Sequence, residues 1–353
     1  MEISHLVEEI TDTDLPRIDY TDGCGSWLLE PQSTNLITQS ELFSDSSWVK
    51  NGFGSALAPV VTLNSDISPD STENASRIEM DCTSTSSSDY SAIYQQLALD
   101  GSSEYTISFY IKSNTSSEQD LLFFSNSSFS TQITANSEWQ RVESTFTSNS
   151  ANTRNFGLVA RGSVQQDVDI LIWGAQLEQQ SYATSYIPTN GATNTRLQDI
   201  ANNSGNSTVI NSTEGGLFAE IAALADDGTI RTIALNKDTN DRIQMYFDAS
   251  TNGLSIFYKA QSGATAFVMN QTLTDTTLFN KIAFKWKTND FSLWINGTKT
   301  DTVSSGVTSN ADTLNSLDFK MFNNSNTFYG KAKTVAVYKE ALTDAELQSL
   351  TTI

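Results

Sequence analysis

Histidine is almost absent from this chain, which has one such residue, His5, among 353. A Ser-His-Asp arrangement or a histidine-ligated metal centre would therefore depend on a single residue near the N-terminus. Cysteine is equally scarce, because Cys24 and Cys82 are too few for a disulfide framework and lack the paired spacing of a zinc site. A single bridge between the two cysteines stays open. The sequence thus gives no sign of histidine-based catalysis or of a metal centre with nitrogen and sulfur ligands.

Basic residues and long apolar runs are scarce as well. The chain has 20 Lys and Arg against 41 Asp and Glu, a net charge of −21. So acidic a surface repels nucleic-acid phosphates and anionic lipid, and we expect neither nucleic acid nor a membrane as a partner. No stretch approaches the roughly 20 apolar residues that cross a bilayer. Hydrophobic residues make up 38% of the 353, enough for the cores of two domains.

Short segments of alternating apolar and polar residues, separated by Ser, Gly and Asp turns, recur along the chain. Residues 105–112 are typical, since every second side chain from Tyr105 to Ile111 is large and apolar. Asn296-Gly297 predicts a tight hairpin, and Thr343 followed by Glu346 predicts the start of a helix. The pattern predicts an all-β chain with two antiparallel β-sandwich (jelly-roll) domains, an extended N-terminal arm and one short C-terminal helix.

Composition divides the chain into four parts. We predict a docking arm at residues 1–35, a first sandwich at 36–190, a polar linker segment at 191–213 and a second sandwich at 214–353. Residues 1–30 hold eight acidic residues and one basic residue, Arg17. We expect this acidic arm to be ordered only by contact with another protein or a sister subunit.

Two motif groups resemble a known family. Residues 16–36 read PRIDYTDGCGSWLLEPQSTNL, and residues 172–189 read IWGAQLEQQSYATSYIPT. They resemble segments of bacteriophage virion proteins of the tail or fibre type, which combine a β-sandwich like that of carbohydrate-binding modules with a laminin-G-like or concanavalin-like jelly roll. The hairpin FSLWING at residues 291–297 and the strand-to-helix run TVAVYKEALTDAEL at 334–347 are similar to the end of such a jelly roll.

The resemblance implies a virion structural and adhesion protein, a fibre or decoration subunit that binds host surface glycans. It implies assembly into the virion in the host cytoplasm, contact with other virion proteins through residues 1–30, a homotrimer, and no cofactor. Two alternatives stay open: a polysaccharide-degrading enzyme component, or an architectural subunit without a ligand. We expect no enzyme, because the Glu-x-Asp-x-x-Glu strand motif of glucan hydrolases with the concanavalin-like fold is missing from the second sandwich.

Sugar recognition relies on aromatic faces, with amides and carboxylates bonding the hydroxyls. The aromatic residues that strand patterns do not assign to a core are the candidates for glycan binding: Trp27, Trp48, Tyr90, Tyr94, Tyr110 and Trp294. Packing against the arm or a neighbouring subunit would account for the same residues. Aspartates in two turns are candidate calcium ligands, although ordinary turn chemistry explains them equally: Asp226, Asp227, Asp238 and Asp241.

Overall fold

The computed structural model describes residues 17–353 apart from residues 22, 126–127, 149 and 202–203. The described chain divides into two compact units. Of the described residues, unit 1 comprises residues 32–197, and unit 2 comprises residues 198–353 together with residues 17–31. The predicted arm residues 1–16, with His5, lie outside the described residues.

Fourteen strands lie in the described part of the chain before residue 200. They are β1 (Arg17–Asp19), β2 (Ser26–Leu29), β3 (Ser33–Asn35), β4 (Val49–Phe53), β5 (Val60–Asp66), β6 (Ala75–Asp81), β7 (Tyr90–Leu99), β8 (Ser103–Ser113), β9 (Gln119–Ser125), β10 (Ser128–Ala135), β11 (Gln140–Ser148), β12 (Asn152–Arg161), β13 (Asp167–Glu178) and β14 (Asn194–Arg196).

The rest of the chain adds ten strands, a 3₁₀ turn at Gln261–Gly263 and one α-helix among the described residues. They are β15 (Glu214–Ala223), β16 (Arg231–Asn236), β17 (Arg242–Phe247), β18 (Gly253–Ala260), β19 (Thr265–Thr272), β20 (Asn280–Lys287), β21 (Phe291–Ile295), β22 (Thr298–Val303), β23 (Ser316–Asp318), β24 (Gly330–Tyr338) and α1 (Asp344–Thr351). The predicted all-β fold with antiparallel sandwiches and a C-terminal helix is confirmed.

Unit 1 is a sandwich of two five-stranded sheets. Sheet I has the order β10-β9-β12-β7-β4, and sheet II has the order β11-β8-β13-β6-β5. Alternate residues of both sheets point inward, so Ile93, Phe156 and Phe123 from sheet I share one core with Phe109 and Ile172 from sheet II. The period-2 pattern of the sequence is thus the pattern of the core.

The motifs of the family resemblance meet in unit 1 around Asn35, which is completely buried. Its Nδ2 donates to the carbonyl oxygens of Ala175 (3.0 Å) and Ile187 (2.9 Å). Its Oδ1 accepts from the backbone N–H groups of Ile37 and Leu177, both at 3.1 Å. One amide therefore ties the TNLI segment to the WGAQLE strand and to the YIPT segment that follows it.

Glu178, the last residue of β13, makes a second buried network. Its carboxylate accepts from the Ser33 hydroxyl (2.5 Å), from Gln176 Nε2 (2.5 Å), and from both the backbone N–H (2.9 Å) and the hydroxyl of Thr184. All four residues are buried. These bonds hold the segment after β13 in place, so the motif residues specify how the chain closes unit 1.

Unit 2 is also a sandwich. A seven-stranded sheet, β1-β2-β24-β15-β20-β21-β22, faces a five-stranded sheet, β19-β18-β17-β16-β23. Leu217, Phe284 and Leu293 of the larger sheet share a core with Met245 and Ile256 of the smaller one. The predicted Asn-Gly hairpin joins β21 to β22, with φ of 48° at Asn296 and 81° at Gly297.

The structure corrects the arm assignment for residues 17–35. β2 pairs with β24, and β1 pairs with β2, so residues 17–29 lie at the edge of this chain's own seven-stranded sheet. Arg17, which is 7% exposed, forms ion pairs with Glu30 and Asp199. Residues 33–35 form β3, which pairs with β14. Of the acidic residues that the structure describes in this stretch, Glu30 pairs with Arg17 and Asp19 pairs with Lys331, so both are paired within the chain.

The helix α1 begins at the predicted position. Glu346 N–H donates to the Thr343 hydroxyl at 3.3 Å, and Thr343 N–H donates to the Glu346 carboxylate at 2.8 Å, which completes a capping box. Leu347 is buried against the seven-stranded sheet. Within the part of the chain that the structure describes, no helix is long and apolar enough to cross a bilayer.

Candidate functional site

The outer face of sheet I carries a group of aromatic side chains that we call the aromatic face. It consists of Phe53 on β4, Tyr90 and Tyr94 on β7, and Phe124 on β9, around a floor of Ala92, Gly157 and Val159. On β7 the alternation is strict, because Ser91, Ile93 and Gln95 point into unit 1 while Tyr90, Ala92 and Tyr94 point outward.

Antiparallel register sets these residues in rows across the sheet. One row contains Phe53 and Tyr90, whose rings are stacked with centroids 5.1 Å apart and an interplanar angle of 9°. Another contains Tyr94, Gly157 and Phe124, and the Tyr94 and Phe124 rings meet edge to face at 5.1 Å and 74°. Two aromatic pairs thus stand on either side of a low floor.

The floor between the aromatic pairs is fully buried and apolar. Ala92 and Val159 face each other on neighbouring strands, and both have 0% exposure. Among the residues that the structure describes, the apolar cluster that contains them comes from the strands of sheet I: Ala92, Phe124, Val159, Tyr90 and Tyr94. The aromatic rings therefore cover the small residues between them.

Gly157 lies between Tyr94 and Phe124 in the floor of the aromatic face. A Cβ atom at this position would lie 1.9 Å from the carbonyl oxygen of Ile93 and 2.6 Å from the Cα of Tyr94. No other residue fits without moving β7, the strand that carries both tyrosines. The close approach of β12 to β7 therefore fixes the spacing of the face.

Polar groups rim the aromatic face. Gln96 is the next residue after Tyr94 on the same face of β7, and its amide donates to the Asn155 side-chain oxygen at 3.1 Å. At the other end Arg161 lies opposite Tyr90, and its Nε donates to the carbonyl oxygen of Ser87 at 2.7 Å. Amide groups thus lie at one end of the aromatic face and a guanidinium group lies at the other, with the apolar floor between them.

Tyr94 keeps its phenolic proton at neutral pH. Burial, followed by the neighbouring Tyr90, raises the pKa of Tyr94 above its ordinary value. A neutral phenol both donates and accepts hydrogen bonds, which suits recognition of hydroxyl groups.

Of the predicted aromatic residues, the structure brings Tyr90 and Tyr94 together and separates the other four. Trp48 is 1% exposed, lies in the core of unit 1 and donates its indole N–H to the Gln39 carbonyl oxygen at 2.8 Å. Trp294 is 6% exposed and packs against Phe218 of β15 and Leu347 of α1. Both assignments are corrected, because neither ring presents a face to a ligand.

Tyr110 and Trp27 lie elsewhere. Tyr110 is on the outer face of sheet II, edge to face with Trp173 at 5.3 Å and below the Arg141 guanidinium at 5.5 Å. Gly174, with φ of 62°, makes room for it, since a Cβ atom there would meet the Tyr110 ring at 3.1 Å. Trp27 is 43% exposed on β2 of unit 2.

Two aromatic residues of the face, Phe53 and Phe124, were not among the predicted site residues. Phe124 ends an apolar run, Leu121-Leu-Phe-Phe124, in which both faces of the strand look like core. Phe53 follows a polar turn and is 53% exposed. Only the pairing of β4 and β9 with β7 and β12 shows that their rings join the tyrosines.

The predicted calcium ligands are used within the chain. Asp227 pairs with Arg231 at 2.9 Å, and Asp226 accepts from the Asn252 N–H at 3.0 Å. Asp238 and Asp241 accept from backbone N–H groups of the turns at Asn240 (2.7 Å) and Gln261 (2.9 Å). Among the residues that the structure describes, no three His, Cys, Asp or Glu side chains are grouped so as to hold a metal ion. All four aspartates thus have hydrogen-bond or ion-pair partners within the chain.

Parts of the other large sheet faces are covered by residues of the same unit. Tyr186 packs on Trp173 over sheet II, with ring centroids 4.4 Å apart. In unit 2, α1 covers the seven-stranded sheet, and Phe322 lies 4.6 Å from the Arg242 guanidinium above the five-stranded sheet.

Comparison with known proteins finds no matching family model and no match among curated proteins. Solved structures with a similar arrangement include the sialidase carbohydrate-binding module of Ruminococcus gnavus, bound to α2,6-sialyllactose, at 14% identity and a TM-score of 0.35 over 43% of this chain and 95% of that one.

The tandem carbohydrate-binding modules of Paenibacillus barcinonensis Xyn10C match at 11% identity and a TM-score of 0.30 over 87% of this chain and 99% of that one. Domains LG4-5 of the mouse laminin α1 chain match at 9% identity and a TM-score of 0.28 over 75% and 91%. Nothing in the matches points to a virion protein. Sequence identities and TM-scores this low assign no function to this chain.

Proposed function

We propose that this protein binds glycans through the aromatic face of unit 1. The observation that carries the proposal is the arrangement of two aromatic pairs, Phe53 with Tyr90 and Tyr94 with Phe124, around a buried floor of small residues. Apolar, aromatic surface with a polar rim marks a binding site rather than ordinary protein surface.

The chemistry of a sugar ring matches this face. The C–H groups of a pyranose form an apolar patch that stacks on an aromatic ring, while its hydroxyls lie at the ring edge and need hydrogen-bond partners. Tyr90 and Tyr94 offer rings and phenolic hydroxyls, and the Gln96–Asn155 pair offers amides beside them. Because the chain carries a net charge of −21, neutral glycans are favoured over polyanionic ones.

The biological role we propose is that of a virion adhesion subunit, a tail-fibre or decoration protein assembled in the host cytoplasm, with host surface glycans as its partner. The motifs at residues 16–36 and 172–189 support this role through their resemblance to phage virion proteins. A homotrimer would multiply weak sites and raise avidity. Contact with other virion proteins is proposed for residues 1–16, since residues 17–29 are used within unit 2.

Two other functions make different predictions. A polysaccharide-degrading component would shorten a bound glycan, and an architectural subunit would bind none. The residues of the aromatic face supply stacking and hydrogen bonds, which favours binding without cleavage. Hydrolysis of a glycoside needs a pair of carboxylates, and the residues that define this face are aromatic or small and apolar. Incubation with a glycan that binds, followed by chain-length analysis, separates the three functions.

Tyr94→Ala should weaken glycan binding at least tenfold, with a loss of about 1.4 to 3 kcal/mol, since a central aromatic anchor carries a large share of binding energy. Titration calorimetry with a glycan that the wild-type protein binds measures this. The matched control is Tyr110→Ala, which removes the same side chain from the outer face of sheet II. Equal loss in both variants, or no loss in Tyr94→Ala, would place the ligand elsewhere.

A further inference from the structure

A second concave surface of unit 1 lies apart from the aromatic face, between the chain after β3 and the segment before β14. It is a cleft of about 630 Å³. Half of its twelve lining residues carry an amide or a carboxylate: Gln39, Glu41, Asn64, Asn74, Asn190 and Asn194. A volume of this size is within the roughly 300 to 1,000 Å³ of small-molecule sites.

Glu41 is the charged group of the cleft. Its Oε1 accepts from the Tyr186 hydroxyl at 2.9 Å, and its Oε2 accepts from Asn74 Nδ2 at 3.1 Å. Burial raises the pKa of Glu41, and the nearby Asp70 raises it further against the hydrogen bond from Tyr186. A hydroxyl group brought into the cleft would add a further donor to this carboxylate and stabilise its charged form.

Asn74 contributes an acceptor of its own. Its Nδ2 donates to Glu41 and, at 3.4 Å, to Asp70. Its Oδ1 is buried and accepts no hydrogen bond from any residue that the structure describes. A buried acceptor without a donor costs free energy. Glu41 and Asn74 thus lie side by side on one wall of the cleft.

The opposite wall is held by the chain itself. Asn194 Nδ2 donates to the carbonyl oxygen of Pro188 at 2.9 Å, and Gly191 N–H donates to the carbonyl oxygen of Thr38 at 2.7 Å. An isolated antiparallel β-bridge pairs Gln39 with Asn190, and both residues line the cleft. A site whose walls are fixed before binding loses little entropy on binding.

We propose that this cleft binds one neutral sugar unit, as a second glycan site independent of the aromatic face. Acceptors at Glu41 and Asn74 and amides on the facing wall suit the several hydroxyls of a pyranose. Leu42 and Leu63, which are 39% and 36% exposed, offer apolar contact for its C–H groups. Glu41 and Asp70 repel uronic and sialic acids. The ligand class rests on the proposed function, but the residues do not.

The test uses the double variant Tyr90→Ala/Tyr94→Ala, which silences the aromatic face. Saturation-transfer NMR with the methyl glycosides of glucose, galactose, mannose and N-acetylglucosamine should still show binding of at least one of them. Adding Ala192→Trp, an exposed position on the cleft wall, should abolish that signal, and so should Glu41→Gln, which keeps the shape of the side chain. Ala151→Trp, at an exposed alanine outside the cleft, is the matched control and should preserve it. Methyl glucuronide should give no signal.

The outcomes separate the two sites. If the double variant gives no signal with any methyl glycoside, or if the signal survives Ala192→Trp, the cleft proposal is overturned while the aromatic face stands on its own titration. If the double variant binds as well as the wild type and only the cleft variants lose binding, the cleft is the glycan site and the proposed role of the aromatic face is wrong. If the wild-type protein binds none of the probes and no larger glycan, both proposals fail.

Discussion

Asn35→Ala should destabilise unit 1 by about 3 to 5 kcal/mol, since each buried backbone group left without a partner costs roughly 1 to 3 kcal/mol. The side chain is completely buried and satisfies two backbone N–H groups and two carbonyl oxygens from three separate segments. Alanine leaves all four without this partner in a place that water does not reach. Urea unfolding followed by circular dichroism measures the loss.

The neighbouring residue provides the control for Asn35. Thr34 lies next to it on β3, and its exposed hydroxyl bonds to the hydroxyl of Thr195 at 2.8 Å. Thr34→Ala should change the free energy of unfolding by no more than about 0.5 kcal/mol. A stable Asn35→Ala variant, or two variants with the same loss, would show that the motif residues do not hold unit 1 together.

Trp48→Ala should cost about 3 to 5 kcal/mol of unfolding free energy, the range for removal of a large aromatic residue from a core. Trp48 is 1% exposed, and its ring lies 4.9 Å from that of Phe43 and 6.3 Å from that of Phe109. Its indole N–H also bonds the Gln39 carbonyl oxygen. Thermal unfolding of the variant and the wild type at one protein concentration checks this.

Trp27→Ala is the comparison for Trp48→Ala, because both tryptophans lie in polar, loop-like sequence and Trp27 is 43% exposed. We expect it to cost less than about 1 kcal/mol. A Trp48→Ala variant that unfolds like the wild type but no longer binds glycan would restore Trp48 as a recognition residue and contradict its place in the core.

The local patterns of the sequence were sufficient for the fold. Alternation along β7 and β8, the Asn296-Gly297 turn and the Thr343 cap each depend on residues a few positions apart, and the structure has all of them. Physical rules for strands, turns and caps act over such short distances, which is why they can be read along the chain.

The corrected parts depend on distant partners. Arg17 lies in an acidic, polar stretch that looks like an arm, yet its partner Asp199 is 182 positions away. Trp48 follows Ser-Asp-Ser-Ser and looks like a loop residue, but it turns into a core made by β8 and β9. No pattern within a short window shows such contacts.

The candidate site was predictable only in part, for a related reason. The motifs that carry the family resemblance contain Asn35 and Glu178, which bond the chain to itself. The aromatic face lies outside those motifs, on strands whose apolar residues look like core from sequence alone. Tyr90 and Tyr94 were among the predicted residues because strand patterns did not assign them to a core, whereas the place of Phe53 and Phe124 on this face needed the pairing of four strands.

A glycan array probed with the wild-type protein and with the Tyr90→Ala/Tyr94→Ala variant tests the central claim most directly, provided both show the same unfolding temperature. We predict that the wild type binds a defined set of neutral glycans and that the variant loses at least tenfold in apparent affinity for them, a loss of about 1.4 kcal/mol or more. An unchanged binding profile in the variant, or a wild-type protein that binds no glycan on the array, would contradict the assignment of glycan recognition to the aromatic face.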